Sequence, residues 1–417
     1  MTSPLALSFP NYAQAFATWT VKGLEEIGIA SIPGFLSGKL LGQSYVMTTI
    51  DAATGIRATS EAFLQAALGY PDYTVYQRTM AKRILFDDSK RATGVQVDTA
   101  GLGYTISAAR EVIVSGGVFG SPQLLQASGI GPTELLSRHG IPIVADRPGV
   151  GQGMQDHIYY TVTYRVNAPT LSKLGDSAFA ARQAAVFRKT GGGMYSNPVT
   201  EVIGWEKIPQ PLRSQTMSND TLGVLSQYPA DWPEMEYISA AGFVGYQNST
   251  TAAPTDGHNY ASLAVVLITP RSRGSVNITS ADTYVNPAIN PNFLVDPVDI
   301  EVTLAGFKRA RQFWETDSMS KFRIGDEYFP GNGTQTDDEI KAFIREGYNT
   351  IFHGSCTCAM GKRNDANAVV DSEARVIGVK GLRVVDASAF PFLPPGHPQS
   401  TIYALAEKIS CVISKNC

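Results

Sequence analysis

A mixed fold, part α/β and part α+β, is the class this sequence of 417 residues predicts, and three observations predict it. Short apolar runs alternate with turn residues from 74 to 116. A strand, loop and helix pattern returns from 351 to 414. Between them, 160–345 mixes strands with helices that carry clear start signals. The two ends together predict one domain, 1–159 and 346–417, with 160–345 inserted as a second.

The first block reads as a β-meander. Its runs are Thr74-Val75-Tyr76, Arg83-Ile84-Leu85-Phe86, Gly94-Val95-Gln96-Val97, Tyr104-Thr105-Ile106 and Glu111-Val112-Ile113-Val114, with turn formers between them. The last run meets Gly116-Gly117, where the backbone can turn tightly, and Pro122 suits the first turn of a helix through Leu124-Leu125. Such a strand, glycine turn and helix can bring N–H groups to a phosphate.

In the middle, strands are expected over 262–269 and 274–279. One helix starts at Asp296-Pro297 and carries Ile300, Leu304 and Phe307 at helical spacing. Another opens on the capping box Thr336-Asp337-Asp338-Glu339 and stops at Gly347. The stretch 214–221, Pro287 and Pro291 read as loops. At the end, a buried strand over 381–385 leads through Asp386 and a proline-rich loop to a helix from Ser400 through Leu405.

Composition narrows the function classes. A net charge of -3, 43% hydrophobic residues and no long run of one charge favour a globular protein with a small-molecule partner over a nucleic-acid binder. The longest apolar run, near Leu263 to Ile268, is too short for a membrane span, and the first residues lack the basic and apolar blocks of a signal peptide. Sequons at Asn219, Asn248, Asn277 and Asn332 hint at a secretory route. Localisation stays open. Cys411 and Cys417 pair, or all four cysteines are free thiols; the sequence leaves both.

Two of the five histidines, His353 and His397, lie in glycine- and proline-rich loops of the last block. Oxidising an alcohol means removing its hydroxyl proton as hydride leaves the same carbon, and neutral imidazole is a suitable base. Cys356 and Cys358 follow His353, yet zinc needs further ligands that no second cysteine cluster supplies, so no metal is expected. A Gly-x-Ser-x-Gly elbow is absent from the sequence, which speaks against a serine hydrolase. Asp386 ends a strand beside the small Ala387 and Ser388, fitting either a close approach to a cofactor or a plain cap. Asp156-His157 reads as a structural turn, and His139 as a partner of a helix C-terminus.

The stretch from Gly120-Ser121-Pro122-Gln123-Leu124-Leu125 to Gly129-Ile130-Gly131-Pro132 resembles the second signature of the glucose-methanol-choline (GMC) oxidoreductases. Val150-Gly151 through Gln155-Asp156-His157 resembles the motif that follows. Pro270-Arg271-Ser272-Arg273-Gly274, Pro291-Asn292-Phe293 and 384–408 extend the match over nearly the whole chain.

The resemblance implies a Rossmann-like FAD-binding domain from the two ends and an inserted substrate domain of antiparallel sheet plus helices. It also implies His353 as catalytic base, His397 as second active-site histidine, and FAD contacts at Ala387, Pro398 and Gln399. The backbone of Ala81 matches a position that contacts the adenine. The segments 353–358 and 393–401 look most like fungal members acting in polyketide and mycotoxin pathways. Many members have proline after the first histidine and glycine three positions on, where this chain has Gly354 and Cys356.

The family opens on a strand, a Gly-x-Gly-x-x-Gly turn and a helix. No such turn occurs here; Gly149-Val150-Gly151-Gln152-Gly153-Met154 fails at its last position. Met1 aligns inside the family, so the first part of the FAD-binding domain is expected to be missing. The leading expectation is an FAD-dependent dehydrogenase or oxidase for a small polyketide-derived or aromatic alcohol. A truncated, inactive homologue and a non-redox cyclase on the same scaffold are the other two readings.

Overall fold

The computed structural model describes residues 4–246 and 254–415. They form two compact units: Met1–Thr74 with Ile158–Thr269 and Asp296–Thr350, and Val75–His157 with Pro270–Val295 and Ile351–Cys417. The sequence division placed 1–74 and 270–295 the other way. Strand pairing accounts for the difference, because Gly42–Tyr45 joins Val202–Glu206, while Gly274–Asn277 joins Gln152–Met154. The α/β and α+β character is what the structure shows.

The first unit is built on a seven-stranded antiparallel sheet. Its order is Gly42–Tyr45, Val202–Glu206, Met235–Ala240, Asn259–Leu267, Ile158–Val166 and Arg323–Phe329, with Asn349–Thr350 also pairing Ile158–Val166. Asn259–Leu267 is buried at all but its first residue, as its continuous apolar run requires of a central strand. The helix Pro297–Trp314 starts as its sequence signals: the Asp296 side chain accepts from the Val298 N–H and proline fills the first position. Its Phe307 stacks on Tyr160 with ring centroids 6.1 Å apart. Asp337–Gly347 carries the full capping box of Thr336 and Glu339.

The stretch 214–221 is not simply loop. It holds the end of one short helix, Leu212–Thr216, and the start of another, Asn219–Leu225. Serine and threonine act there as helix-end groups: Ser218 caps the second helix by accepting from the Thr221 N–H.

The second unit contains the meander, made of Thr79–Phe86, Ala92–Thr99 and Leu102–Ser107 in that order. Thr74-Val75-Tyr76 lies outside it, because Arg78 at φ 53 turns the chain before the first strand begins. Val112–Val114 leaves the meander and pairs in parallel with Leu382–Val384. Ile84, Val114, Leu125, Val369 and Val384 share one core with Cys358.

The helix after Val112–Val114 is Gly117–Ala127, which puts Pro122 in its interior rather than in its first turn. The final helix is Gln399–Ser414. Among the described residues no helix is long and apolar enough to cross a membrane. The Asn248 sequon and the Cys411–Cys417 pairing lie outside the described residues, since Asn248 and Cys417 do. Asn219 and Asn332 are exposed, whereas Asn277 is half-buried, its Oδ1 accepting from Gln152 Nε2 at 2.9 Å.

Candidate functional site

Two segments of the second unit, 155–157 and 351–355, run antiparallel and set the site. Gln155 and Ser355 exchange both backbone hydrogen bonds, at 3.2 and 2.9 Å. In that register His157 faces His353 across the pair. The ladder then breaks. Ile351 N–H reaches the His157 carbonyl at 3.0 Å, while His353 N–H turns aside to Asp156 Oδ1 at 2.8 Å. Phe352, between them, sits at φ 64, a conformation costly for an aromatic residue, and is 83% exposed.

The side chains converge. His157 Nδ1 and His353 Nδ1 are 3.0 Å apart, with ring centroids at 5.2 Å and planes at 79°. The His353 and His397 centroids are 4.8 Å apart at 78°. His157 is fully buried and His353 nearly so, while His397 is exposed. Burial, followed by the neighbouring His157 and His397, pushes His353 down to about 2 from 6.5. It is therefore a neutral ring throughout the physiological range.

The loops behind the histidines are held by backbone contacts that leave little room. The Gly151 N–H donates to the Thr357 carbonyl at 2.7 Å and its carbonyl accepts from Val276 N–H at 2.7 Å. Gly151 has φ +80, and a Cβ there would fall 2.0 Å from the Val276 oxygen. Gln126, buried at 0% exposure, donates to the Val150 and Val276 carbonyls and accepts from Ile278 N–H.

The cysteines point elsewhere. Cys358 belongs to the main core, and Cys356 packs with Ala387, Phe390 and Leu393. Burial pushes the Cys356 thiol up to about 12, so thiolate chemistry near neutral pH is closed to it. Among the described residues no three His, Cys, Asp or Glu side chains group as metal ligands.

Asp386 proves to be a structural acceptor. Its Oδ2 accepts from Gly117 N–H at 3.0 Å and from Ser121 Oγ at 2.5 Å, and its Oδ1 from Ser388 N–H at 2.7 Å. The start of the helix Gly117–Ala127 is thus already filled by a carboxylate, and the phosphate site that this glycine turn suggests is not open. A surface cavity of about 670 Å³, lined by Arg138, His139, Gln152 and Asn277, holds none of the three clustered histidines.

Of the residues proposed from sequence, His353 and His397 come together with Ala387, which is bound to the histidine loop through Cys356 N–H at 3.1 Å to its carbonyl. Pro398 and Gln399 follow His397, and Gln399 begins a helix that has no side-chain cap, leaving its first-turn N–H groups as donors. Ala81 stands apart in the meander, its carbonyl accepting from Thr283 Oγ1 at 2.9 Å. His157 is the member that sequence reasoning missed.

Two models of the GMC oxidoreductase family match, one over residues 3–159 and the other over 270–406. The chain belongs to the GMC oxidoreductase family. It is 57% identical over 416 residues to patulin synthase of Aspergillus clavatus, covering 99% of this chain and 66% of that protein. It is 41% identical over 410 residues to versicolorin B synthase of Aspergillus parasiticus, covering 98% of this chain and 62% of that one. A solved structure of an FAD-dependent oxidoreductase from Chaetomium thermophilum matches with TM-score 0.86 and 28% identity, covering 99% of this chain and 74% of that one. The GMC chain described here thus spans just under two thirds of the length of the patulin synthase it matches.

Proposed function

We propose that this chain carries the catalytic end of an FAD-dependent alcohol oxidoreductase, with His353 as base. The observation that carries the proposal is the convergence of His353 and His397, whose ring centroids lie 4.8 Å apart with the His397 ring exposed. A neutral imidazole can take a hydroxyl proton, and an exposed second ring can hold the alcohol oxygen by a hydrogen bond.

The residues present fit the ring system of a flavin. Ala387 is small and lies behind the histidine loop, and the uncapped start of Gln399–Ser414 offers N–H donors and a positive helix end to an electron-rich ring. Ala387, Pro398 and Gln399 would hold it. When bound, the flavin supplies the two-electron acceptor for the hydride that leaves the alcohol carbon. Ala81 would meet the adenine through its backbone. The pyrophosphate has no such place at Gly117, where Asp386 stands, and the sequence contains no Gly-x-Gly-x-x-Gly.

In the reaction the chain's own residues orient the alcohol and move one proton. The hydroxyl proton passes to His353, His397 keeps the oxygen in line, and the apolar Phe352 and Phe392, both exposed, offer a surface to an aromatic or polyketide-derived substrate. On this reading the second unit is the remainder of the FAD-binding domain and the first unit the substrate domain.

A second reading is favoured by the 41% identity to versicolorin B synthase, namely non-redox ring closure by the same histidines. An inactive homologue is the third. Anaerobic mixing of the FAD-loaded 417-residue chain with a panel of benzylic alcohols separates them. Bleaching of the flavin, lost in His353→Ala, supports oxidation. No bleaching with any alcohol, together with product formed from a cyclisable substrate, overturns it in favour of ring closure.

A further inference from the structure

The Asp156-His157 pair touches His353 twice, once on the backbone and once on the ring. Asp156 Oδ1 accepts the His353 N–H at 2.8 Å, and His157 Nδ1 lies 3.0 Å from His353 Nδ1. Only one hydrogen can sit between the two Nδ1 atoms. If His157 donates it, His353 carries its own proton on Nε2 and has no lone pair left for a substrate. If His353 donates it, its Nε2 lone pair is available and the His157 proton sits on Nε2 of that buried ring.

We infer that His157 is a positioning residue that accepts the His353 Nδ1–H and so holds His353 in the tautomer a base requires. The inference rests on the proposed role of His353 as base. The logic is that of a hydrogen-bonded orienting group behind a catalytic histidine, here with a neutral imidazole as acceptor in place of a carboxylate. A neutral acceptor fits this place. His157 has no exposed surface, and a carboxylate there would carry an uncompensated buried charge. Asp156 completes the hold by tying the backbone of the same residue, beside the strained Phe352 at φ 64.

The geometry also names the replacement that can stand in. An asparagine Oδ1 falls where a histidine Nδ1 does and accepts but does not titrate. Leucine fills the volume and accepts nothing.

The test reads the tautomer directly and needs neither cofactor nor turnover, so its failure is separable from failure of the proposed activity. Histidine is labelled with nitrogen-15 in the full chain, and long-range proton-nitrogen spectra are recorded at pH 7. The five histidine signals are assigned by single replacements. The expected result is His353 protonated on Nδ1 in the native chain and in His157→Asn, and on Nε2, the form unconstrained rings favour, in His157→Leu. Each variant is checked for fold by its melting transition. A native His353 protonated on Nε2, or a tautomer unchanged in folded His157→Leu, overturns the inference. If His157→Leu does not fold, the native spectrum and His157→Asn still decide: Nε2 protonation in either contradicts it.

Discussion

Thr357 supplies an acceptor's missing partner: its hydroxyl donates at 2.7 Å to the Val118 carbonyl. That carbonyl would bond the N–H of residue 122 in a regular helix, and Pro122, inside Gly117–Ala127, has none. The proline is thereby accommodated by the segment that carries His353.

The pair predicts a coupling. Thr357→Val leaves the Val118 carbonyl without its donor and costs about 1–3 kcal/mol, whereas Thr357→Ser costs less. In a Pro122→Ala background the helix regains its own donor, so the penalty of Thr357→Val falls by about half or more. Denaturant melts of the four proteins in that cycle give the coupling. Equal penalties in both backgrounds would show that the hydroxyl does not compensate for the proline.

Cys356 is buried at φ 76, a backbone state that glycine enters freely and alanine does not. Cys356→Gly is expected to melt at or above Cys356→Ala, although the alanine fills more of the pocket beside Ala387 and Leu393. Thermal melts decide, and a glycine variant less stable by more than about 1 kcal/mol refutes the argument from φ.

His353 links stability to pH. Its proton affinity is lower when folded, about 2 against 6.5, so the unfolded chain binds the proton first as pH falls. The stabilisation is complete above 6.5 and is lost progressively towards acid, by at most about 1.4 kcal/mol per pH unit. His353→Gln flattens that limb between pH 6 and 4. An unchanged acid limb in the variant would mean that other groups carry it.

Asp386 holds the helix Gly117–Ala127 through Gly117 and Ser121. Asp386→Ala removes a charged acceptor of three hydrogen bonds and is expected to lower stability by about 2–4 kcal/mol. Hydrogen exchange at the Gly117 and Ser388 amides locates the loss, and protection kept at both amides contradicts the assignment.

Local chemistry was the legible part of this sequence. Asp296-Pro297 and the Thr336 capping box announce their helices because a cap is settled by residues within one turn. The pairing of 155–157 with 351–355 is settled by residues almost two hundred positions apart, and no local pattern reports it. His157 therefore reads as a turn in sequence and as a partner of His353 in space. The same holds for Gly42–Tyr45, whose place in the sheet depends on Val202–Glu206. The serines and threonines of 214–221 show the opposite failure, since residues that suit loops also cap helices.

The central claim is that this chain binds a flavin beside His353 and His397, and the visible spectrum tests it most directly. The purified 417-residue chain is incubated with FAD, desalted and scanned. Retained flavin bands, weakened by replacing Ala387 with leucine, are the predicted result. A colourless protein that is still folded would contradict the account.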